Sequence, residues 1–167
     1  MYRSTATLTP NGTVMLAGSN PNNDVNQDRD YKTEYRVEFY SPPYITQPHS
    51  TYTGRPATVD LGSIFTLSVT LRSGVRDVSV WAMDLGSVTH GVHMDTRAVK
   101  LSSILLPGGI LTDKRRILVA GPPSGGIFPP GPAFIYVVTD AGVPSFGHKA
   151  IIGTGASPPA NQVAIDK

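Results

Sequence analysis

The sequence contains no cysteine among its 167 residues. Disulfide bonds, cysteine-ligated zinc and a thiol nucleophile are therefore excluded. Charge is also scarce, because only 16% of the residues are charged and basic residues outnumber acidic ones by 14 to 12. An excess this small does not make the basic surface that nucleic acids need, so we expect no nucleic-acid partner.

Long apolar runs are missing as well. No run approaches the roughly twenty residues that a membrane-spanning helix requires, so we expect no membrane partner. The first residues, Met1 to Thr5, have no apolar stretch behind a basic start and do not resemble a signal peptide. Read literally, this start predicts a cytoplasmic chain.

Turn-forming residues are abundant, with 17 glycines and 15 prolines. Long stretches with the period of an amphipathic helix are absent. Many short connections without helical periodicity are typical of all-β proteins. We therefore predict an all-β, antiparallel fold.

The first forty residues predict three strands, over 4–8, 14–17 and 34–40. Pro10-Asn11-Gly12 between the first two is a hairpin signal, and we weight it above the glycosylation sequon that begins at Asn11. The loop over 18–32 is rich in Asn and Asp, but its spacing does not match a calcium loop, so we favour turns. Three strands alone need a further surface to pack on.

The following segment, residues 44–152, has the pattern of a sandwich. Seven short strands are predicted over 64–71, 78–83, 88–94, 98–101, 116–120, 134–139 and 149–152. Strands at this spacing with turns between them indicate an immunoglobulin-like antiparallel β-sandwich, with Trp81 in its core. His93, an odd number of residues from His90, would face the opposite side of its strand. Residues 153–167 are predicted to be a disordered tail.

A series of motifs then resembles one family. The motifs are Tyr2-Arg3-Ser4-Thr5, Gly18-Ser19-Asn20-Pro21-Asn22, Glu34-Tyr35-Arg36-Val37-Glu38, Thr89-His90-Gly91-Val92-His93 and Asp140-Ala141-Gly142-Val143-Pro144. They resemble the C-terminal part of the glyoxal oxidase and galactose oxidase family of secreted copper-radical oxidases. The resemblance implies a remnant of the last kelch-type propeller blade over 1–43 and an early-set immunoglobulin-like domain over 44–152. It also implies an extracellular location and, as partners, the propeller blades that this chain lacks.

The resemblance assigns site residues one by one. Tyr2 matches the axial tyrosine of a degenerate catalytic site, and His90 matches a copper-binding histidine. Arg3 stands where the family has its other copper-binding histidine, and a guanidinium has no lone pair to offer a metal. The cross-linked Tyr-Cys radical pair has no counterpart. Whether the chain is an enzyme is left open, and we expect it to bind no copper alone.

Three functions follow from these observations. The first is a fragment of a glyoxal-oxidase-like enzyme that oxidises small aldehydes or primary alcohols and reduces dioxygen to hydrogen peroxide; the fragment would be inactive alone. The second is a stand-alone, non-catalytic module that binds carbohydrate or protein through the sandwich. The third is a weak copper site that includes His90.

Overall fold

A computed structural model describes residues 4–108 and 113–155 of the protein. Within these ranges the regular structure is almost entirely β. The strands are β1 (Thr5–Leu8), β2 (Val14–Ala17), β3 (Val37–Tyr40), β4 (Thr51–Thr53), β5 (Thr58–Val59), β6 (Ile64–Thr70), β7 (Val78–Asp84), β8 (Ser87–Thr89), β9 (Val92–Met94), β10 (Arg97–Leu101), β11 (Ser103–Leu105), β12 (Lys114–Ala120), β13 (Gly131–Thr139) and β14 (His148–Ile152). A short 3-10 helix, Pro43–Thr46, follows β3. None of the described helical structure is long and apolar enough to cross a bilayer.

Two packed sheets form the sandwich. One has five strands in the order β10-β7-β13-β14-β5, and the other has four in the order β11-β12-β6-β4. All pairs are antiparallel except β14 with β5. The predicted all-β fold with an immunoglobulin-like sandwich is thus confirmed.

The core lies between these two sheets and follows from alternation along the strands. Every second residue of β7 from Val78 to Ala82 is buried, and the same period buries Leu67 and Val69 on β6. Since side chains alternate across a strand, each sheet places one apolar face inside. Tyr52 on β4 also enters the core, and its hydroxyl donates to the Ile135 carbonyl oxygen on the opposite sheet.

The third sheet, β1-β2-β3, lies against the outer face of the five-stranded sheet. Polar contacts attach it there. Gly147 N–H donates to the Pro10 carbonyl oxygen at 2.7 Å, and the Tyr44 hydroxyl donates to the Gly12 carbonyl oxygen at 2.7 Å. The β1–β2 turn is the predicted hairpin, and Gly12 takes the positive φ (91°) that such turns demand.

Several predicted features differ from the structure. Strands β4, β5 and β11 are only two or three residues long and were not predicted. The predicted strand over 88–94 is instead a hairpin, β8 and β9, outside the sandwich sheets. The third predicted strand, 34–40, is regular only over β3 because its partner β2 ends at Ala17.

Trp81 is not in the core, contrary to prediction. It alternates with the buried Val80 and Ala82, so its side chain is on the outer, half-buried face of β7. Its indole Nε1–H donates to the Ser79 hydroxyl at 3.0 Å. An aromatic residue lies in the core only if its side chain is on the inner face of its strand. Here Val80 and Ala82 occupy the inner face, so Trp81 is on the outer one.

Side chains of the Asn- and Asp-rich loop form hydrogen bonds with the loop's own backbone, as predicted for turns. Side-chain oxygens of Asn20, Asp24 and Asn26 accept backbone N–H groups one or two residues further on. These are turn contacts. The domain boundaries at 1–43 and 44–152 stay predictions, and the tail predicted over 153–167 falls mainly on 156–167, outside the described residues.

Candidate functional site

His90 occupies the turn of a two-stranded ribbon that extends from the sandwich. The ribbon consists of β8 and β9, which pair antiparallel from Ser87 with Met94 to Thr89 with Val92. His90 and Gly91 form the two-residue turn and both have positive φ, 53° and 76°. Two positive values in a two-residue loop are what a type I′ hairpin turn needs, and its twist matches that of the strands.

The His90 side chain is exposed and lightly held. Its Nδ1 atom lies 2.7 Å from the Thr89 hydroxyl oxygen. Within the described part of the chain, Nε2 has no hydrogen-bond partner. Neutral imidazole binds metals through either nitrogen, and a hydrogen bond to one nitrogen influences which of the two carries the proton. The arrangement therefore leaves Nε2 available to a partner outside the ribbon.

The base of the ribbon is held more firmly than its tip. His93 Nε2 lies 3.0 Å from the Leu85 carbonyl oxygen, and Gly86 N–H donates to the Asp84 carboxylate at 2.9 Å. The Thr7 hydroxyl also donates to the Leu85 carbonyl oxygen, at 3.4 Å, which links the ribbon's base to β1. The expected opposite placement of His90 and His93 on a single strand is wrong, because the chain reverses direction between them.

The described residues do not fit a copper site by themselves. No group of three or more His, Asp or Glu side chains that could hold a metal ion occurs within residues 4–108 and 113–155. His90 offers a single imidazole, whereas a protein copper site uses several nitrogen or sulfur ligands. Tyr2 and Arg3 lie outside the described residues, so their predicted roles beside His90 stay predictions.

The two remaining histidines have structural partners. The ring of His49 lies between two carbonyl oxygens, with Nδ1 2.6 Å from Pro144 and Nε2 3.2 Å from Ile45, and it stacks on Phe146. His148 meets the Tyr52 ring edge to face at 5.0 Å. Neither arrangement resembles a metal ligand presented to solvent.

A groove runs between the three-stranded sheet and the outer face of the sandwich. It has a volume of about 300 Å³ and a mainly apolar lining that includes Leu8, Tyr44, Trp81, Met83 and Tyr136. Burial raises the pKa of Tyr136 to about 12 and also raises the pKa of Tyr44. The sequence signal for this groove was the strict alternation of β7, which places Trp81 and Met83 together on the outer face.

Comparisons with known proteins agree with this architecture. The family described as galactose oxidase-like, early set domain matches residues 43–152. "Aldehyde oxidase GLOX1" of Arabidopsis thaliana is 32% identical over 159 residues, which are 89% of this chain and 25% of that protein. "Aldehyde oxidase GLOX" of Vitis pseudoreticulata is 34% identical over 153 residues, 87% of this chain and 28% of that protein.

A solved structure has the same fold. It is described as "Novel fungal alcohol oxidase with catalytic diversity among the AA5 family, in complex with copper" and superposes with a TM-score of 0.68 at 19% identity. The superposition covers 91% of this chain and 31% of that one. The chain thus spans about a quarter of the length of the curated relatives it matches.

The family match extends over more than half of the chain and coincides with the two sandwich sheets. The ribbon that carries His90 lies inside the same range. The protein therefore belongs to the galactose oxidase-like family defined by this early set domain.

Proposed function

We propose that the chain is the C-terminal part of a copper-radical aldehyde oxidase and that it is inactive without the rest of that enzyme. The relatives are named aldehyde oxidases, and the chain spans only about a quarter of their length, which supports this reading. The parent reaction would take two electrons from an aldehyde hydrate or primary alcohol and pass them with two protons to dioxygen, giving hydrogen peroxide. The proposed location of the parent is extracellular.

The observation that carries this proposal is the position of His90. An imidazole at the tip of a ribbon, exposed and with Nε2 free of hydrogen bonds among the described residues, is poorly explained by packing. It is well placed to reach a metal whose other ligands belong to a different part of a larger protein. Under this proposal, β1–β3 is a remnant of the last propeller blade, and the missing blades are its partners.

The chain's own residues do not complete the metal site, so no catalytic step is assigned to them. Imidazole nitrogen suits copper, and His90 would supply one such ligand, with Tyr2 as the proposed axial ligand. Arg3 cannot replace an imidazole, because it has no free lone pair. The radical cofactor has no source here, since the sequence contains no cysteine.

A chimera tests the proposal. This chain would replace the matching quarter of the Arabidopsis relative, and peroxide release from an aldehyde would be measured after copper loading. We expect the chimera with Arg3→His to exceed the unmodified chimera by roughly 100-fold or more, since loss of a ligand costs more than the 10–100-fold typical of outer-shell changes. The chain alone should release no peroxide.

The matched variant is His90→Asn in the Arg3→His chimera. Asparagine followed by glycine is favoured in a type I′ turn, so this change removes the imidazole while keeping the hairpin. We expect peroxide release to be abolished with the fold intact by circular dichroism. If this chimera stays as active as its His90 parent, or if the chain alone turns over, the proposal is wrong.

The groove beside Trp81 favours a second candidate, a stand-alone carbohydrate-binding module. Aromatic residues with a polar tip, such as Trp81 and Tyr44, are common in binding surfaces. Trp81 is the only tryptophan, so its fluorescence would report binding directly. Saturable changes on titration with soluble oligosaccharides are expected for such a module, and an unchanged spectrum would count against it.

A further inference from the structure

Strand β3 is an exposed edge of the three-stranded sheet. It pairs with β2 on one side only, and all four of its residues are exposed. Three apolar side chains near this edge are unusually open, with Tyr35 63%, Val37 51% and Phe39 61% exposed. A hydrophobic edge strand with free backbone groups is a template for pairing with another strand.

The sequence along this edge is complementary to itself. It reads Tyr35-Arg36-Val37-Glu38-Phe39, so aromatic residues and opposite charges lie symmetrically about Val37. An antiparallel copy centred on Val37 would set each Arg36 opposite a Glu38 and each Tyr35 opposite a Phe39. Cross-strand aromatic and opposite-charge pairs are the stabilising kind, and like charges in those positions are destabilising.

The geometry points to β3 pairing antiparallel with β3 of a second copy of this chain, about a two-fold axis at Val37. Two three-stranded sheets would then join into one continuous sheet. The inference applies to this chain by itself, without the further blades of the proposed oxidase. A longer protein that supplies its own strand beside β3 would occupy the same edge instead.

The local structure explains why Tyr35 and Arg36 are not yet part of the strand. Their partner strand β2 ends at Ala17, which pairs with Val37. Arg36 instead forms hydrogen bonds with a residue close by in the chain. Its backbone N–H and its guanidinium both donate to the Glu34 carboxylate. A second β3 would extend beyond Ala17 and pair Tyr35 and Arg36 as well, which lie past the last β2–β3 pair.

The charges of this segment are already coupled. Arg36 lies between Glu34 and Glu38, and its bonds to Glu34 hold the pKa of that carboxyl at about 2. In the dimer each Arg36 would gain a Glu38 from the other copy while keeping Glu34. Each copy of the strand carries both Arg36 and Glu38. Two identical copies can therefore form both ion pairs, and no different protein is needed as a partner.

The opposite edge of the sheet, Thr5–Leu8, has no charged residues and so lacks the self-complementary pattern of β3. Strand β1 lies beside the sandwich, where Thr7 bonds to the Leu85 carbonyl oxygen and Leu8 lines the groove. A two-fold interface uses the same patch on both copies and therefore closes at two subunits. The expected assembly is a dimer rather than a fibre.

The test is sedimentation velocity of the full chain over a wide range of concentrations, with charge-swapped variants. Arg36→Glu sets two Glu-Glu pairs across the axis and Glu38→Arg sets two Arg-Arg pairs, so each should weaken the dimer by roughly tenfold or more. The double variant Arg36→Glu/Glu38→Arg restores both opposite-charge pairs. We expect its dimer to return to within about threefold of the unmodified chain.

Mixing the two single variants sharpens the test. In the mixed dimer, the edge of the copy with Arg36→Glu is acidic and the edge of the copy with Glu38→Arg is basic, so both pairs across the axis join opposite charges. The equimolar mixture should therefore dimerise while each variant alone is mainly monomeric. Arg116→Glu, on the exposed face of β12, makes the same change in net charge as Arg36→Glu but away from the edge, and it should leave the dimer unaffected.

Four outcomes would overturn the inference. The first is a chain that stays monomeric up to about 0.5 mM, and the second is assembly into species larger than a dimer. The third is single variants that dimerise like the unmodified chain, and the fourth is an Arg116→Glu variant that loses the dimer equally. Circular dichroism checks that each variant is folded. The substituted side chains are exposed, so folding should be retained.

Discussion

Tyrosine hydroxyls hold separate parts of this molecule together. Tyr52 connects the two sheets of the sandwich, and Tyr44 connects the 3-10 helix to the β1–β2 turn. Tyr136 is buried beneath that turn, with its hydroxyl 3.5 Å from the Thr9 carbonyl oxygen. Burial disfavours the phenolate, which is why the pKa of Tyr136 is raised to about 12.

This raised pKa predicts a loss of stability at alkaline pH. An unfolded tyrosine releases its proton near pH 10, while folded Tyr136 keeps its proton until about pH 12. Between these values the folded state binds more protons, so the free energy of unfolding falls as pH rises, by at most about 1.4 kcal/mol per pH unit from this group. Denaturant unfolding at fixed pH values from 9 to 12 measures this slope.

Tyr136→Phe should make that slope shallower, because it removes the titrating group. Tyr31→Phe is the matched control, since Tyr31 is 80% exposed. Burial also raises the pKa of Tyr52, so Tyr52 contributes to the slope of the wild type. The quantity to compare is therefore the difference in slope between the wild type and each variant. Equal slopes for Tyr136→Phe and the wild type would contradict the argument.

At the scale of elements, the β8–β9 ribbon depends on the absence of a side chain at Gly86. Its φ is +77°, and an added Cβ would clash with the Met94 carbonyl oxygen and lie 2.9 Å from His93 Nε2. The carbonyl belongs to the backbone of β9 and cannot turn away without moving the strand. The position of His90 at the turn therefore depends on Gly86, at the base of the ribbon.

Gly86→Ala should displace the ribbon and destabilise it locally. The positive φ alone costs about 1 kcal/mol, and the contact with Met94 adds to it. We expect faster amide hydrogen exchange over 87–94 with little change on β7 and β13, because the ribbon is outside the core. Gly74→Ala has a similar φ, +89°, with nothing within 4 Å of its added Cβ, so it isolates the strain from the clash.

At the scale of the whole molecule, the three-stranded sheet covers a face of the sandwich that would otherwise be exposed. Gly147 is central to this contact. Its N–H donates to the Pro10 carbonyl oxygen, and an added Cβ would clash with the Tyr136 ring. A buried ring has little freedom to withdraw, because protein interiors are close-packed.

Gly147→Ala should loosen the three-stranded sheet from the sandwich. We expect faster limited proteolysis in the connection over 41–50 and a lower unfolding temperature for the sheet, with the core strands still protected. Gly126→Ala serves as the control, because its added Cβ has only the Ser124 hydroxyl oxygen nearby, at 3.7 Å. Unchanged proteolysis would show that the two parts are not joined through Gly147.

Alternation explains which parts of the fold were predictable. On β6 and β7 the apolar residues recur every second position, and both strands were predicted nearly to their ends. Strands β4 and β5 are too short to show a period, and they exist because longer neighbours offer them partners. The hairpin at His90 was missed because a polar residue and a glycine interrupt an otherwise strand-like run.

The sequence by itself determined the fold class, the core faces of the long strands, the β1–β2 turn and the histidine worth testing. Local propensity and side-chain period suffice for the fold class, the core faces and the turn, since these depend on neighbours along the chain, whereas the histidine was singled out by the family resemblance. Only the tertiary structure decided that Trp81 lines a groove, that His90 caps a ribbon with its Nε2 free among the described residues, and that β3 is an open edge. Those facts depend on which sheets meet and where a partner strand ends, and contacts between distant segments are not encoded in any local pattern.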